Sequence, residues 1–217
     1  MIAHALSIIV NELNRHLQSY NLPEDNQVDA NQAVLGNLAE GLGSGGSDAL
    51  VPRDRLVLSV VNIREEKTLK NLPNYVRNDA KLSVTYENPP IFLNFQILMA
   101  STHIKYPSAL LMLSRGLQFF QYKKTFTQEN VDPDSLNPPP ALTNQRDQLE
   151  VFKLIFDLYS PTVEEINYLW GTLGGKQYPF ALYTLRMLDL KFKAVLNESG
   201  LITDVVSDFY HKKPVRN

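Results

Sequence analysis

The side chains that could do chemistry are concentrated at residues 64–67, where Arg64, Glu65, Glu66 and Lys67 follow one another directly. Two adjacent carboxylates act as general acid and base only if their surroundings push their pKa values apart. Neighbours on an extended segment point to opposite sides, so Glu65 and Glu66 would not share one site. Arg64 and Lys67 are placed to neutralise them in a surface network, and these four residues with the nearby Lys70 mark a candidate interaction surface. Other catalytic arrangements fail on spacing. His4, His16, His103 and His211 form no His-x-x-x-His pair and no His-Asp-Ser neighbourhood, so no metal site or triad is expected. No Gly-x-Ser-x-Gly elbow follows a strand. Gly41, Gly43 and Gly46 have the spacing of a dinucleotide fingerprint, but Pro52 stands six residues downstream and no apolar helical period follows to open a helix. The absence of cysteine removes thiolate ligands, disulfides and a cysteine nucleophile. The residues thus predict no enzyme, no cofactor and no metal.

The charge cluster sits at the exit of an apolar strand. Residues 56–63 are almost all apolar, a pattern that predicts burial on both faces at the centre of a sheet. Ile2, Leu6, Ile9, Leu13 and Leu17 recur at helical spacing and predict an N-terminal amphipathic helix. It has no basic n-region and a polar face poor in cations, so neither a targeting segment nor a membrane-surface helix is expected. Residues 19–55 read as loop around a short strand near 32–38, ending in the Gly/Ser run 41–48. Residues 68–81 look turn-like. A strand follows at 82–86, where Leu82, Ser83, Val84 and Thr85 mark a candidate sheet edge before Pro89 and Pro90. Ile91, Leu93, Phe95, Ile97 and Met99 alternate with Asn94 and Gln96, predicting a half-buried strand.

A helix over 108–122 starts near Pro107 and buries Ala109, Leu110, Leu113, Leu117 and Phe120; Gly116 within it suggests close packing. The run Phe119-Phe120-Gln121-Tyr122-Lys123-Lys124 resembles an aromatic-basic nucleic-acid surface, but core packing explains it better. Residues 128–147 form a long loop, expected to be mobile. A strand at 149–159, a helix from Ser160-Pro161 to Gly174-Gly175 enclosing Trp170, a strand at 180–192 and a terminal helix at 194–210 complete the chain.

With 217 residues, 44% hydrophobic and 20% charged, the chain can build a core as a single domain spanning 1–217. Its mobile parts are expected at about 39–54, at 128–147 and in a tail from about 211. A net charge of −2 gives no global pull toward nucleic acid or anionic lipid.

Asn62-Ile63-Arg64-Glu65-Glu66-Lys67-Thr68-Leu69 with Asn71 is similar to the Asn-Ile-x-Glu-Glu-Lys motif of the cap, or tail-terminator, family of extracellular contractile injection systems. The later features resemble that family in order: Pro90 to Phe95, Tyr106 to Leu110, Phe119-Phe120-Gln121, Leu169-Trp170 to Gly174, and Arg186-Met187-Leu188. The resemblance spans roughly residues 1–192. It implies an α+β fold, with a mixed, largely antiparallel sheet and helices packed against it. It also implies a homo-hexameric ring that closes the distal end of the inner tube and anchors the last sheath ring. The implied partners are tube protein, sheath protein and the chain itself, with no catalysis or cofactor. Assembly in the cytoplasm as a component of the particle is expected. The alternative is an assembly chaperone or adaptor that binds tube or sheath protein through a sheet edge.

Overall fold

A computed structural model of the chain describes residues 1–20, 31–40, 53–69, 73–190, 197–200 and 204–209. The expected Gly/Ser loop at 41–48, Lys70 and the tail from 211 lie outside the described residues. Helix α1 (Ile2–Gln18) buries Leu6, Ile9, Leu13 and Leu17 as its spacing predicts. The body is a six-stranded sheet, made of β1 (Ala33–Leu35), β2 (Leu56–Glu65), β5 (Ile91–Ser101), β8 (Phe180–Leu190), β7 (Lys153–Tyr159) and β6 (Thr125–Thr127) in that spatial order. Only β1 and β2 run parallel; the other pairs are antiparallel, giving the expected mixed sheet. A smaller three-stranded sheet joins β3 (Tyr75–Asn78), β4 (Ser83–Tyr86) and β9 (Asn197–Gly200).

The period of two sorts the body strands into two apolar layers. Phe95, Ile97 and Met99 of β5, with Leu56, Leu58, Leu154, Phe156, Tyr183 and Leu185, meet α1 and α2 (Tyr106–Tyr122). Leu98 and Ala100 of the same strand, with Val57 and Leu182, face the other way and meet Trp170 of α3 (Val163–Thr172). The second half of β5 is therefore buried on both sides, a correction to its half-buried reading. The opposite correction applies to β2. Leu56 to Ser59 are buried, but Ile63 is 50% exposed and Arg64 and Glu65 lie within the strand, beyond any cover. Length explains this. Ten residues of α3 span about 15 Å, whereas ten residues of β2 span about 33 Å, so half of that sheet face stays open. Strand β2 is also next to the edge rather than central.

Helix α2 buries Ala109, Met112, Leu113, Gly116, Phe119 and Phe120, while Leu110, expected inside, is exposed. Gly116 is needed for close approach: a Cβ there would lie 2.9 Å from both Leu56 Cδ2 and Met99 Sδ. Phe120 stacks on Phe156 with ring centres 4.5 Å apart, inside a cluster that includes Phe119, Phe126 and Tyr183. Burial pushes the Tyr183 phenol up to about 12. Phe119 and Phe120 of the aromatic-basic run are thus core, while Gln121, Tyr122 and Lys124 are exposed.

Residues 128–147, expected as a structureless loop, contain two short 3-10 turns, Pro133–Leu136 and Gln145–Asp147, and are tied to α1. Asp132 N–H donates to Glu12 Oε1 (2.8 Å), Lys123 Nζ donates to Glu12 Oε2 (2.6 Å) and to Asn130 O (2.7 Å), and Asn11 Nδ2 donates to Ser135 O (3.3 Å). His4 is buried between Leu149 N–H, which donates to its Nδ1 at 2.8 Å, and Leu136 O, 2.9 Å from its Nε2. The proton therefore sits on Nε2, and the ring ties Leu136, mid-segment, and Leu149, just past its end, to the helix.

The cap of α3 is Thr162, not Ser160: its hydroxyl accepts from Glu165 N–H while Glu165 Oε2 accepts from Thr162 N–H, a reciprocal capping box. After α3 the chain turns through Gly174 and Gly175, at φ +90° and +77°. Two further expectations fail. The turn-like stretch 68–81 contains β3, whose four residues are all exposed and so carry no burial alternation to betray a strand. Within the expected terminal helix at 194–210, residues 197–200 form β9, paired antiparallel with β4, and residues 204–209 are exposed and not helical. The backbone of β4 offers a ladder that a helix interrupted at Gly200 cannot match.

Candidate interaction surfaces

All three ends that carry the small sheet lie together. Glu65 at the end of β2 pairs with Leu93 near the start of β5, and Ile91 pairs with Leu190 at the end of β8. From this end β3, β4 and β9 extend as an arm; none of them packs extensively on the helices or the large sheet. Arg64, Glu65, Glu66 and Lys67 form the arm's root. Glu66 is held by neutral donors rather than by the flanking cations: Thr68 Oγ1 (2.7 Å), Thr68 N–H (3.2 Å) and Asn94 Nδ2 (2.8 Å). The Thr68 hydroxyl, then Asn94, pull its pKa below the ordinary carboxylate range. A general acid needs the opposite shift, so this geometry makes Glu66 a fixed negative charge and a structural tie.

The uncovered half of the sheet face carries polar groups from four strands. Asn62, Gln96, Thr184 and Asp157 stand in one lateral row by register, and Arg64 pairs with Asn94 in the next. Asn62 Nδ2 donates to Gln96 Oε1 at 3.1 Å, and Arg186 Nε lies 3.2 Å from Asp157 Oδ2. At the edge of this face the Tyr159 hydroxyl donates to Glu165 Oε1 at 2.8 Å. That bond raises the Tyr159 phenol; the Thr162 amide, then Tyr159, lower the Glu165 carboxyl, with Arg64 close enough to assist. Sequence reading missed this face because its members are spread over β2, β5, β7 and β8. The one visible signal was the polar side of β5, Asn94 and Gln96.

Leu82, Ser83, Val84 and Thr85 are brought together at the arm, but not as an edge. Strand β4 is paired on both sides, by β3 and by β9, so the edge assignment is corrected. Among the described residues the open edges of the arm are β3 and β9. Leu82, at φ +48°, lies in the turn before β4. Tyr75, Val76, Leu82 and Tyr86 are exposed apolar residues of the β3–β4 hairpin.

The structure does assemble one Ser-His-Asp grouping that spacing did not reveal. Ser101 Oγ lies 2.9 Å from His103 Nδ1, and Asp54 acts electrostatically on His103 while accepting from Ile104 N–H at 3.1 Å. Ser101 is fully buried, so its hydroxyl cannot meet a substrate, and the trio fixes the turn that leads into α2. Burial holds the His103 pKa below its usual value, which keeps the ring neutral. Among the described residues no group of three or more His, Asp or Glu side chains could hold a metal, and no helix is long and apolar enough to cross a membrane.

Residues 5–204 match the Pvc16 N-terminal domain family. The chain belongs to that family. No curated protein matches it by sequence. Its fold is similar to that of the PVC sheath/tube terminator of an extracellular contractile injection system in the extended state, with a TM-score of 0.56 at 10% identity, covering 100% of this chain. It is also similar to the anti-feeding prophage tube-terminating cap, with a TM-score of 0.53 at 13% identity over 93% of this chain. The chain spans 65% and 60% of the lengths of those two proteins. The α+β architecture with its largely antiparallel sheet is thus the terminator fold.

Proposed function

We propose that the chain is the structural cap of a contractile injection particle: a homo-hexameric ring that closes the distal end of the inner tube and retains the last sheath ring. The observation that carries this reading is the likeness of the whole chain, body and arm, to a sheath/tube terminator. In this reading the protein assembles in the cytoplasm, becomes part of the particle and performs no catalysis.

The arm suits sheath retention. An edge strand with unpaired backbone groups accepts a strand from a partner. The bond from Glu87 N–H to Asn74 O, with the β3–β4 register, turns the amides of Tyr75 and Arg77 toward the open edge of β3. Leu82, Ser83, Val84 and Thr85 then hold the centre of the docking sheet, and Arg64, Glu65, Glu66 and Lys67 its polar root.

The test is to purify particles with and without the chain and to measure its copy number. A cap is present at one ring per particle, and its loss leaves tubes that shed extended sheath. Absence from purified particles, with assembly still dependent on the chain, would favour the chaperone reading. Arg77→Pro removes one outward amide while sparing the β3–β4 ladder; it should cap tube but release sheath.

A further inference from the structure

Two groups of exposed apolar side chains lie at opposite ends of the long strands. The first follows the C-terminal end of β5: Ile104, Tyr106, Leu110 and Leu111, at the turn into α2 and on its first turns. The second is the segment 204–209, where Val205, Val206 and Phe209 are all more than three-quarters exposed, Phe209 at 94%. That segment follows β9 by four residues in sequence, and the arm hangs from the other end of β5.

The two groups differ in charge as well. The segment 204–209 carries Asp204 and Asp208 among its apolar residues. The α2 patch carries Lys105 at the N-cap position, has no acidic residue in its first turn and no side-chain cap on its free amides. An acidic apolar strip and a cationic apolar patch at a helix N-terminus are complementary.

One chain cannot bring them together. The 11 residues of β5 separate the two ends by about 36 Å. Nine residues run from Gly200 to Phe209, which reach at most about 32 Å when fully extended, and the arm itself begins beyond the strand ends. Distinct complementary patches on opposite ends of one molecule make a head-to-tail contact, which closes into a ring when the rotation permits. We infer that residues 204–209 dock on residues 104–111 of a neighbouring copy, and that this is the contact between subunits of the ring. The inference rests on the ring reading above.

The chain has no cysteine, so a designed pair reports this contact without background. Val206→Cys and Leu111→Cys both alter exposed positions and should leave the fold intact. Under mild oxidation of the free chain and of purified particles, the double variant should give a denaturing-gel ladder ending at the ring size. Each single variant should give dimers at most. Lys105→Glu should weaken ring formation at low salt, and Asp208→Lys in the same chain should restore it. Rings seen by native mass without a ladder would overturn the inference and leave the ring reading standing. Monomers in solution, with no ring and no ladder on particles, would remove both.

Discussion

The body and the arm use similar residues to opposite ends. In the body, β5 places Phe95, Ile97 and Met99 against α1 and α2 while Leu98 and Ala100 meet α3, so every apolar side chain of its second half has a partner within the chain. In the arm, Tyr75, Val76, Leu82 and Tyr86 are as apolar and remain exposed, and among the described residues the strands pair only with one another. Isolated sheets of few strands gain little from burial and depend on something laid against them. These apolar side chains of the body are thus covered within the chain, and those of the arm are not.

Truncation in the two regions should separate them by several kcal/mol. Phe120→Ala removes a ring stacked on Phe156 and should cost about 3–5 kcal/mol. Tyr86→Ala in the arm should stay within about 0.5 kcal/mol for the free chain. Urea unfolding of the two variants checks both; a comparable loss in each would dissolve the distinction. The 128–147 segment belongs with the body on this view. Lys123→Met leaves Glu12 with Asp132 N–H as its one remaining donor among the bonds above and should cost about 1–3 kcal/mol. Limited proteolysis should then cut near 129–136 in the variant and not in the parent chain. Loss of the α3 cap in Thr162→Ala should cost about 1 kcal/mol, read from the same unfolding curves.

The histidines sharpen the contrast through pH. Burial lowers the pKa of both His16 and His103 from 6.5, so the folded body favours their neutral forms. Their contribution is complete above pH 6.5 and is lost as pH falls below it toward the folded-state values, because the unfolded chain takes up protons first. The urea midpoint should drop across that window, less steeply in His103→Gln.

The body was the legible part. The spacing of Ile2, Leu6, Ile9 and Leu13, the alternation in β5 and Gly116 within an apolar helix all report burial, and burial patterns are what a single sequence records. The partial cover of β2 was not legible, because it depends on how far α3 reaches across a different strand. The arm was half legible. Ser83–Tyr86 reads as a strand, but nothing local says that Asn197–Gly200, a hundred residues later, supplies its second neighbour. The polar face was invisible for the same reason: Asn62, Asn94, Asp157 and Arg186 become neighbours only through pairing of distant strands. The root cluster at 64–67 was found, yet Glu66 bonds Thr68 in the 3-10 turn Lys67–Leu69 and Asn94 across the β2–β5 ladder, partners that folding brings to it.

The division of labour between body and arm is tested most directly by hydrogen exchange on the free chain and on the chain in intact particles. The account predicts slow exchange of β5 and α2 amides in both states. It predicts fast exchange of Tyr75 and Arg77 amides in the free chain, slowed at least tenfold in the particle, where a partner strand takes up the edge. Equal exchange of those two amides in both states would contradict it.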